Sequence, residues 1–218
     1  MRSVRLTFTK IGTAKYISHL DLTRCLIRAF RRTDIPLWYT EGFNPHPHLV
    51  FGMPLPLGVE GEREILDIRI NDDEYKNSRI LDNMRRASVP GIDFISVSEP
   101  VYKTPEITFG EYEITIPCEN PCQTAEKIKA ICRGPVYIEK KTKKKEIKTI
   151  NVTEYIKQLD VNCADGGVVI KCILPAGNDF TVNPVPFTAE LLNKLDMPNA
   201  LHNIVRKKLL LKDCSEFK

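Results

Sequence analysis

Two histidines stand two residues apart in EGFNPHPHLVFGMPLPLG, Glu41 to Gly58, a stretch with four of the chain's 15 prolines, two of its four histidines and three of its glycines. Imidazole titrates near neutrality, so His46 or His48 could serve as a general base on a ribose hydroxyl, helped by Tyr39 or His19. In an extended segment both histidines project to one side, with Asn44 beside them. Proline fixes φ and removes an amide donor, and Asn44 and His46, each preceding a proline, are pushed towards extended backbone. A loop stiffened in this way loses little entropy on binding, which makes Phe43, Asn44, His46 and His48 a candidate recognition surface. The same composition also suits a rigid crossover whose histidines cap carbonyls. A metal needs three or four ligands, and no third one falls at a telling spacing, so no metal site is expected.

The second chemical feature is positive charge. Arg24, Arg28, Arg31 and Arg32 follow the helical row i, i+4, i+7, with Lys10 and Lys15 earlier in the chain. Guanidinium forks bind phosphate oxygens bidentately, and Trp38 and Tyr39 offer stacking faces to bases. The candidate RNA-binding set is therefore Lys15, Arg24, Arg28, Arg31, Arg32, Trp38 and Tyr39. A solvated helix flank beside a core tryptophan would produce the same pattern. The run Lys140, Lys141, Lys143, Lys144 and Lys145 reads as a soluble hairpin tip that adds nonspecific affinity for nucleic acid. The net charge of +4 is too small to say more.

Seven cysteines, an odd number, suit a reducing compartment and act mostly as small core residues. CENPC, Cys118 to Cys122, has the spacing that opens a CxxxCxxC iron–sulfur motif, but Ala125 stands at the third position. No GxxxxGK[ST], GxGxxG or GxSxG occurs, so no cofactor is expected.

These residues need elements to hold them. Val4, Leu6 and Phe8 alternate in a first strand, and SHLD from Ser18 reads as a cap for a helix from His19 to Arg32. Leu37 to Thr40 (LWYT) and Glu64 to Ile70 read as the next strands. Asp72 and Asp73 open a second helix to Ala87, and Gly91 onward gives a fourth strand. The order β-α-β-β-α-β is the ferredoxin-like plan. It recurs less regularly after a proline-flanked connector: a strand Phe109 to Ile116, a helix Cys122 to Cys132, strands Val136 to Glu139, Glu146 to Val152, Val168 to Leu174 and His202 to Leu211, and a helix Thr188 to Leu195. Extra strand material lies near Tyr155 to Cys163. The expected class is α+β with two tandem ferredoxin-like halves. Residues 1–100 form the first, with its Gly/Pro-rich loop at 41–62, then a linker at 101–107 and a second half at 108–218. No apolar run approaches the roughly 20 residues of a membrane span and the charged start carries no apolar leader, so a cytoplasmic protein is expected.

KYISHLDL (Lys15 to Leu22), EGFNPHPHLVFGMPLPLGVEGE (Glu41 to Glu62) and ILDI (Ile65 to Ile68) resemble the bacterial radical-SAM-linked protein family, an uncharacterised domain fused to a radical SAM protein or encoded near one. NPVPFTAELL, Asn183 to Leu192, resembles that family's C-terminal segment, whereas Gly61 stands where the family pattern has serine. The resemblance implies a standalone member whose partner is a separately encoded radical SAM enzyme. At the level of fold alone, the chain is also similar to the repeat-associated RNA-processing proteins of CRISPR systems. The leading expectation is a non-catalytic RNA-binding accessory to that enzyme, with structured RNA such as tRNA or rRNA as its second partner. The alternatives are a metal-independent endoribonuclease using His46, His48, Tyr39 and His19, and a docking adaptor without RNA contact.

Overall fold

A computed structural model describes residues 1–141 and 146–218, so Lys143 to Lys145 of the lysine run lie outside the described residues. The chain is an α+β protein with one large mixed sheet. In the first part, β1 (Arg2–Lys10) leads through a short 3-10 turn to α1 (His19–Phe30), followed by β2 (Leu49–Phe51), β3 (Glu60–Ile70), α2 (Asn77–Ala87) and β4 (Phe94–Ser98). The second part runs β5 (Phe109–Pro117), α3 (Pro121–Arg133), β6 (Tyr137–Lys141), β7 (Ile147–Asn151), β8 (Gln158–Ala164), β9 (Gly167–Pro175), α4 (Pro184–Lys194) and β10 (Asn203–Leu210). The sheet order is β4-β1-β3-β10-β5-β9-β8, with β2 also on β3 and a separate β6-β7 hairpin.

One strand carries the architecture. The C-terminal part of β3 pairs antiparallel with β2 at Leu66, Asp67 and Ile68, while its first two residues, Glu60 and Gly61, pair parallel with Val205 and Arg206 of β10. All other pairings in the large sheet are antiparallel. That short parallel contact is the seam between the two parts. Alternation along the strands sends Val4, Leu6, Phe8, Leu66, Ile68 and Ile70 to one face, where they pack with Leu22, Leu26, Phe30, Ile80 and Met84 of α1 and α2. A second core gathers Tyr112, Ile114, Ile116, Val168 and Ile170 with Ile128, Phe187 and Leu191 of α3 and α4. Leu55 and Val59, from the proline-rich stretch that follows β2, belong to this second core. The stretch is thus a plug laid across the seam. On the opposite face, Ile65, Ile107, Leu209 and Phe217 form a smaller cluster.

Three expectations are corrected. Leu37 to Thr40 is not the second strand: Leu37 and Tyr39 make only isolated bridges, to Ile70 and Pro47, and the edge beside β3 is taken by Leu49–Phe51. A strand with Pro47 opposite it meets a residue without an amide to donate, so the ladder cannot continue. The cysteines are not mostly core. Only Cys172 is buried among the free ones, and Cys122, at the start of α3, is disulfide-bonded to Cys163 of β8, which packs beside that helix. α2 also begins later than Asp73, because Asp72 is spent in a turn, accepting from the Glu74 amide, and Tyr75 is buried before the helix starts.

Candidate functional site

The paired histidines sit on a narrow ribbon. The Thr40 amide donates to the His46 carbonyl and the His48 amide to the Trp38 carbonyl, so Trp38–Thr40 and His46–His48 run side by side. Glu41 to Pro45 form the tip, where Gly42 takes φ +120°, a conformation that favours glycine, and Phe43 is fully exposed. His46 is held by its own loop: Nδ1 lies 3.0 Å from Thr40 Oγ1 and 3.2 Å from the Asn44 carbonyl. His48 meets Trp38 edge to face at 5.8 Å, and the Arg69 guanidinium lies 5.6 Å from the same indole. Burial lowers the pKa of His48, and Arg69 and His46 lower it further against the pull of Asp67. His19, at the start of α1, has its ring edge against Phe51 at 4.7 Å. Burial and then the charge of Lys10 lower its pKa too. No hydrogen bond joins any two of these three histidines among the described residues.

The lowered values carry a sign. An unfolded chain takes up these protons near the ordinary pKa, at a higher pH than the folded one does, so stability is lost as pH falls through about 6.5. The urea midpoint is expected to drop between pH 7 and pH 5, and to drop less in a His19→Gln/His48→Gln variant. An equal drop in both proteins would show that other groups set the pH response.

The arginines fall into two kinds. Arg28 and Arg31 are exposed and have no partner among the described residues, whereas Arg24 forms an exposed pair with Asp21 at 3.3 Å, worth little in water. Arg32 turns across to α2, donating to the Ala87 carbonyl at 2.5 Å. There it lines a cleft with Thr33, Asp34, Arg79, Asn83 and Arg86. Asp34 accepts from Tyr75 Oη at 2.7 Å and is paired with Arg79, and Arg86 donates to Asn83 at 2.8 Å. Tyr75, Asn83 and Arg79 together hold the Asp34 carboxyl below its ordinary pKa. One carboxylate thus faces three guanidinium groups, and the helical face carries a surplus of positive charge. Arg79 and Arg86 were missed by sequence reasoning. Their spacing of seven on one helix was the available signal.

Not all the expected RNA-binding residues converge. Trp38 packs against Arg69 and His48, and His48 lines a cleft with Ser3, Asp67 and Arg69, on the sheet face away from α1 and α2. The stacking face and the arginines therefore look in opposite directions, with Tyr39 half exposed on the ribbon. Lys15 serves the seam: its ammonium lies 3.3 Å from Glu60 and 2.9 Å from Asn203 Oδ1, while its carbonyl accepts from the Gly58 amide.

Behind Lys15 the seam is charged and buried. Arg206 and Glu64, both buried, form a two-pronged pair, with Nε 2.9 Å from Oε1 and the second prong from Nη2 to Oε2. Arg206 also donates to the Met53 carbonyl of the plug at 2.6 Å. Gly61 leaves room for this carboxylate, since a Cβ there would stand 2.5 Å from Glu64 Oε1. Burial favours the neutral form of Arg206, but Glu64 and Tyr112 more than offset it and raise the pKa. Lys10, also buried, has its pKa lowered by burial and by Arg206 against the pull of Glu64, and donates to the Ile17 carbonyl at 2.7 Å. Among the described residues no group of three or more His, Cys, Asp or Glu could hold a metal, and no helix is long and apolar enough to cross a membrane.

A mixed sheet with an arginine-rich helical face and a proline-stiffened ribbon is the class of protein that this geometry defines. The chain belongs to the family described as uncharacterized protein conserved in bacteria (DUF2344), whose model matches residues 3–184. A search of curated proteins finds no match. Among solved structures, the crystal structure of an unknown protein from Galdieria sulphuraria is similar at 11% identity, covering 93% of this chain and 96% of that one, with a TM-score of 0.27.

Proposed function

We propose that the protein is a non-catalytic RNA-binding accessory of a separately encoded radical SAM enzyme, built from two tandem ferredoxin-like units. The strand orders β4-β1-β3-β2 and β10-β5-β9-β8 support the two units, since each places its fourth strand beside its first and its third beside its second. The observation that carries RNA binding is the pair of exposed arginines, Arg28 and Arg31, without partners among the described residues, beside the Arg32, Arg79 and Arg86 cleft. Phosphate is the natural partner for planar cations left over on one face. The enzyme partner rests on the KYISHLDL and EGFNPHPHLVFGMPLPLGVEGE resemblance, and the Asn44, His46 and His48 ribbon is the surface assigned to it.

A docking adaptor without RNA contact is the second reading, favoured by Tyr16, Leu20 and Leu57. These are exposed apolar side chains within the same segments, and the bond from the Gly58 amide to the Lys15 carbonyl draws Leu57 towards Tyr16. One experiment separates these readings and the ribonuclease. Purified protein is incubated with total cellular RNA in EDTA while binding is measured from 50 to 300 mM salt. Binding that weakens steeply with salt, with the RNA intact, is the expected result. Absence of salt-dependent binding sinks the accessory reading in favour of the adaptor, and discrete cleavage products that vanish in His46→Ala establish a nuclease instead.

A further inference from the structure

A cleft of about 560 Å³ opens at the end of the second part's sheet, where β5 begins and β9 ends. Its lining comes from segments far apart in the chain: Ile107 to Phe109, Glu154 to Lys157, and the turn Gly177 to Phe180. Tyr155 and Phe180 stack at a tilt, with centroids 4.6 Å apart, and Phe109 lies in the same cleft. The Lys140 ammonium covers Phe180 at 4.1 Å and donates to the Thr181 carbonyl, which fixes that ring. The turn is closed by a bond from the Gly177 amide to the Phe180 carbonyl and by Thr181 Oγ1 donating to the Gly177 carbonyl. Asn178 and Asp179 at its tip are exposed and have no partner among the described residues. Tyr155 is 38% exposed, with its hydroxyl unpaired among them, and Lys157 is exposed beside Phe109.

We propose that this cleft binds an unstacked nucleobase carrying an exocyclic amino group, taken from single-stranded RNA. The proposal rests on the RNA-binding reading and adds a site to it. Aromatic rings give a base its stacking platform, which a hydrated ion does not need. Asp179 offers only acceptors and Asn178 both donor and acceptor, the set that meets an amino edge such as that of cytosine or adenine. Two carboxylates, Glu154 and Asp179, against the single Lys157 make the cleft a poor seat for phosphate alone. Glu154 is already engaged by Asn151 Nδ2 at 2.9 Å, which leaves Asp179 as the reading group. A size of a few hundred Å³ suits one nucleoside.

The test uses free nucleosides and short RNA on the full chain. Saturation-transfer NMR with cytidine, adenosine and uridine should give signals for the first two that disappear in Tyr155→Ala, persist in Tyr155→Phe and lose their preference over uridine in Asp179→Asn. With fluorescent C6 and U6 strands and a 12-base-pair RNA duplex, Tyr155→Ala should weaken C6 by roughly 5- to 100-fold and leave the duplex unchanged. Circular dichroism melts check that each variant is folded. If the wild type binds RNA with salt dependence but gives no nucleoside signal, the cleft proposal fails and the accessory reading stands. If nucleosides bind and no RNA does, the cleft takes free bases only, and both its assignment to RNA and the basic face are overturned. A signal from N-acetyltryptophanamide as strong as that from cytidine overturns the assignment of a base.

Discussion

Replacing Arg206 by Met is expected to cost about 3–5 kcal/mol of unfolding free energy, because it leaves the buried Glu64 carboxylate without its counter-charge. That is a large fraction of the roughly 5–15 kcal/mol that holds a domain together. The same substitution also frees the Met53 carbonyl, so the plug over the seam loses its anchor as well. Urea denaturation with a fitted m-value measures both effects. Since the cost comes from an unpaired charge and not from the pair's own worth, Arg206→Met combined with Glu64→Leu should regain most of the loss. A single variant that loses less than about 1 kcal/mol would show that water reaches the seam and that the pair does not hold it.

Reversing Arg28 and Arg31 to Glu is expected to weaken RNA binding by roughly 30-fold or more at 0.15 M salt, and to lower the log–log salt slope by about 2 units. Both side chains are exposed and have no hydrogen-bond or ion-pair partner among the described residues, so the melting temperature should stay within a degree or two. Adding Arg24→Glu should bring only a small further loss, as its charge is already shared with Asp21. Fluorescence anisotropy on one structured RNA across a salt series measures both quantities. An unchanged slope would place the RNA contact elsewhere on the molecule.

How far the sequence could be read depended on the range of the interaction concerned. Local rules worked where a single element decides its own form. Ser18 does accept from the Asp21 amide at the head of α1, and the alternation of Val4, Leu6 and Phe8 does place them in one core. They failed where a distant strand competes. LWYT has every local mark of a strand, yet the edge of β3 goes to Leu49–Phe51 inside a stretch so rich in proline that it reads as loop. The histidines of that stretch were legible as a rigid pair, but not that His46 would be tied to Thr40 and His48 to Trp38. Lys15 carried no sign that it would be spent on Glu60 and Asn203, because Asn203 lies 188 residues further along the chain. The aromatic cleft was invisible for the same reason: Phe109, Tyr155 and Phe180 are each unremarkable within their own segments.

The seam between Glu60–Gly61 and Val205–Arg206 also has a consequence for synthesis. Arg206 lies 142 residues after Glu64, so a ribosome must deliver all of that intervening chain before the two can meet. Until then the nascent first part carries an open strand edge on β3, a buried-to-be carboxylate in water, and Leu55 and Val59 without the core they fill. Such a contact, with a long loop to close, forms late and leaves the growing chain dependent on its own solubility or on a chaperone. The strand that closes the seam, β10, is made long after the edge of β3 that it covers.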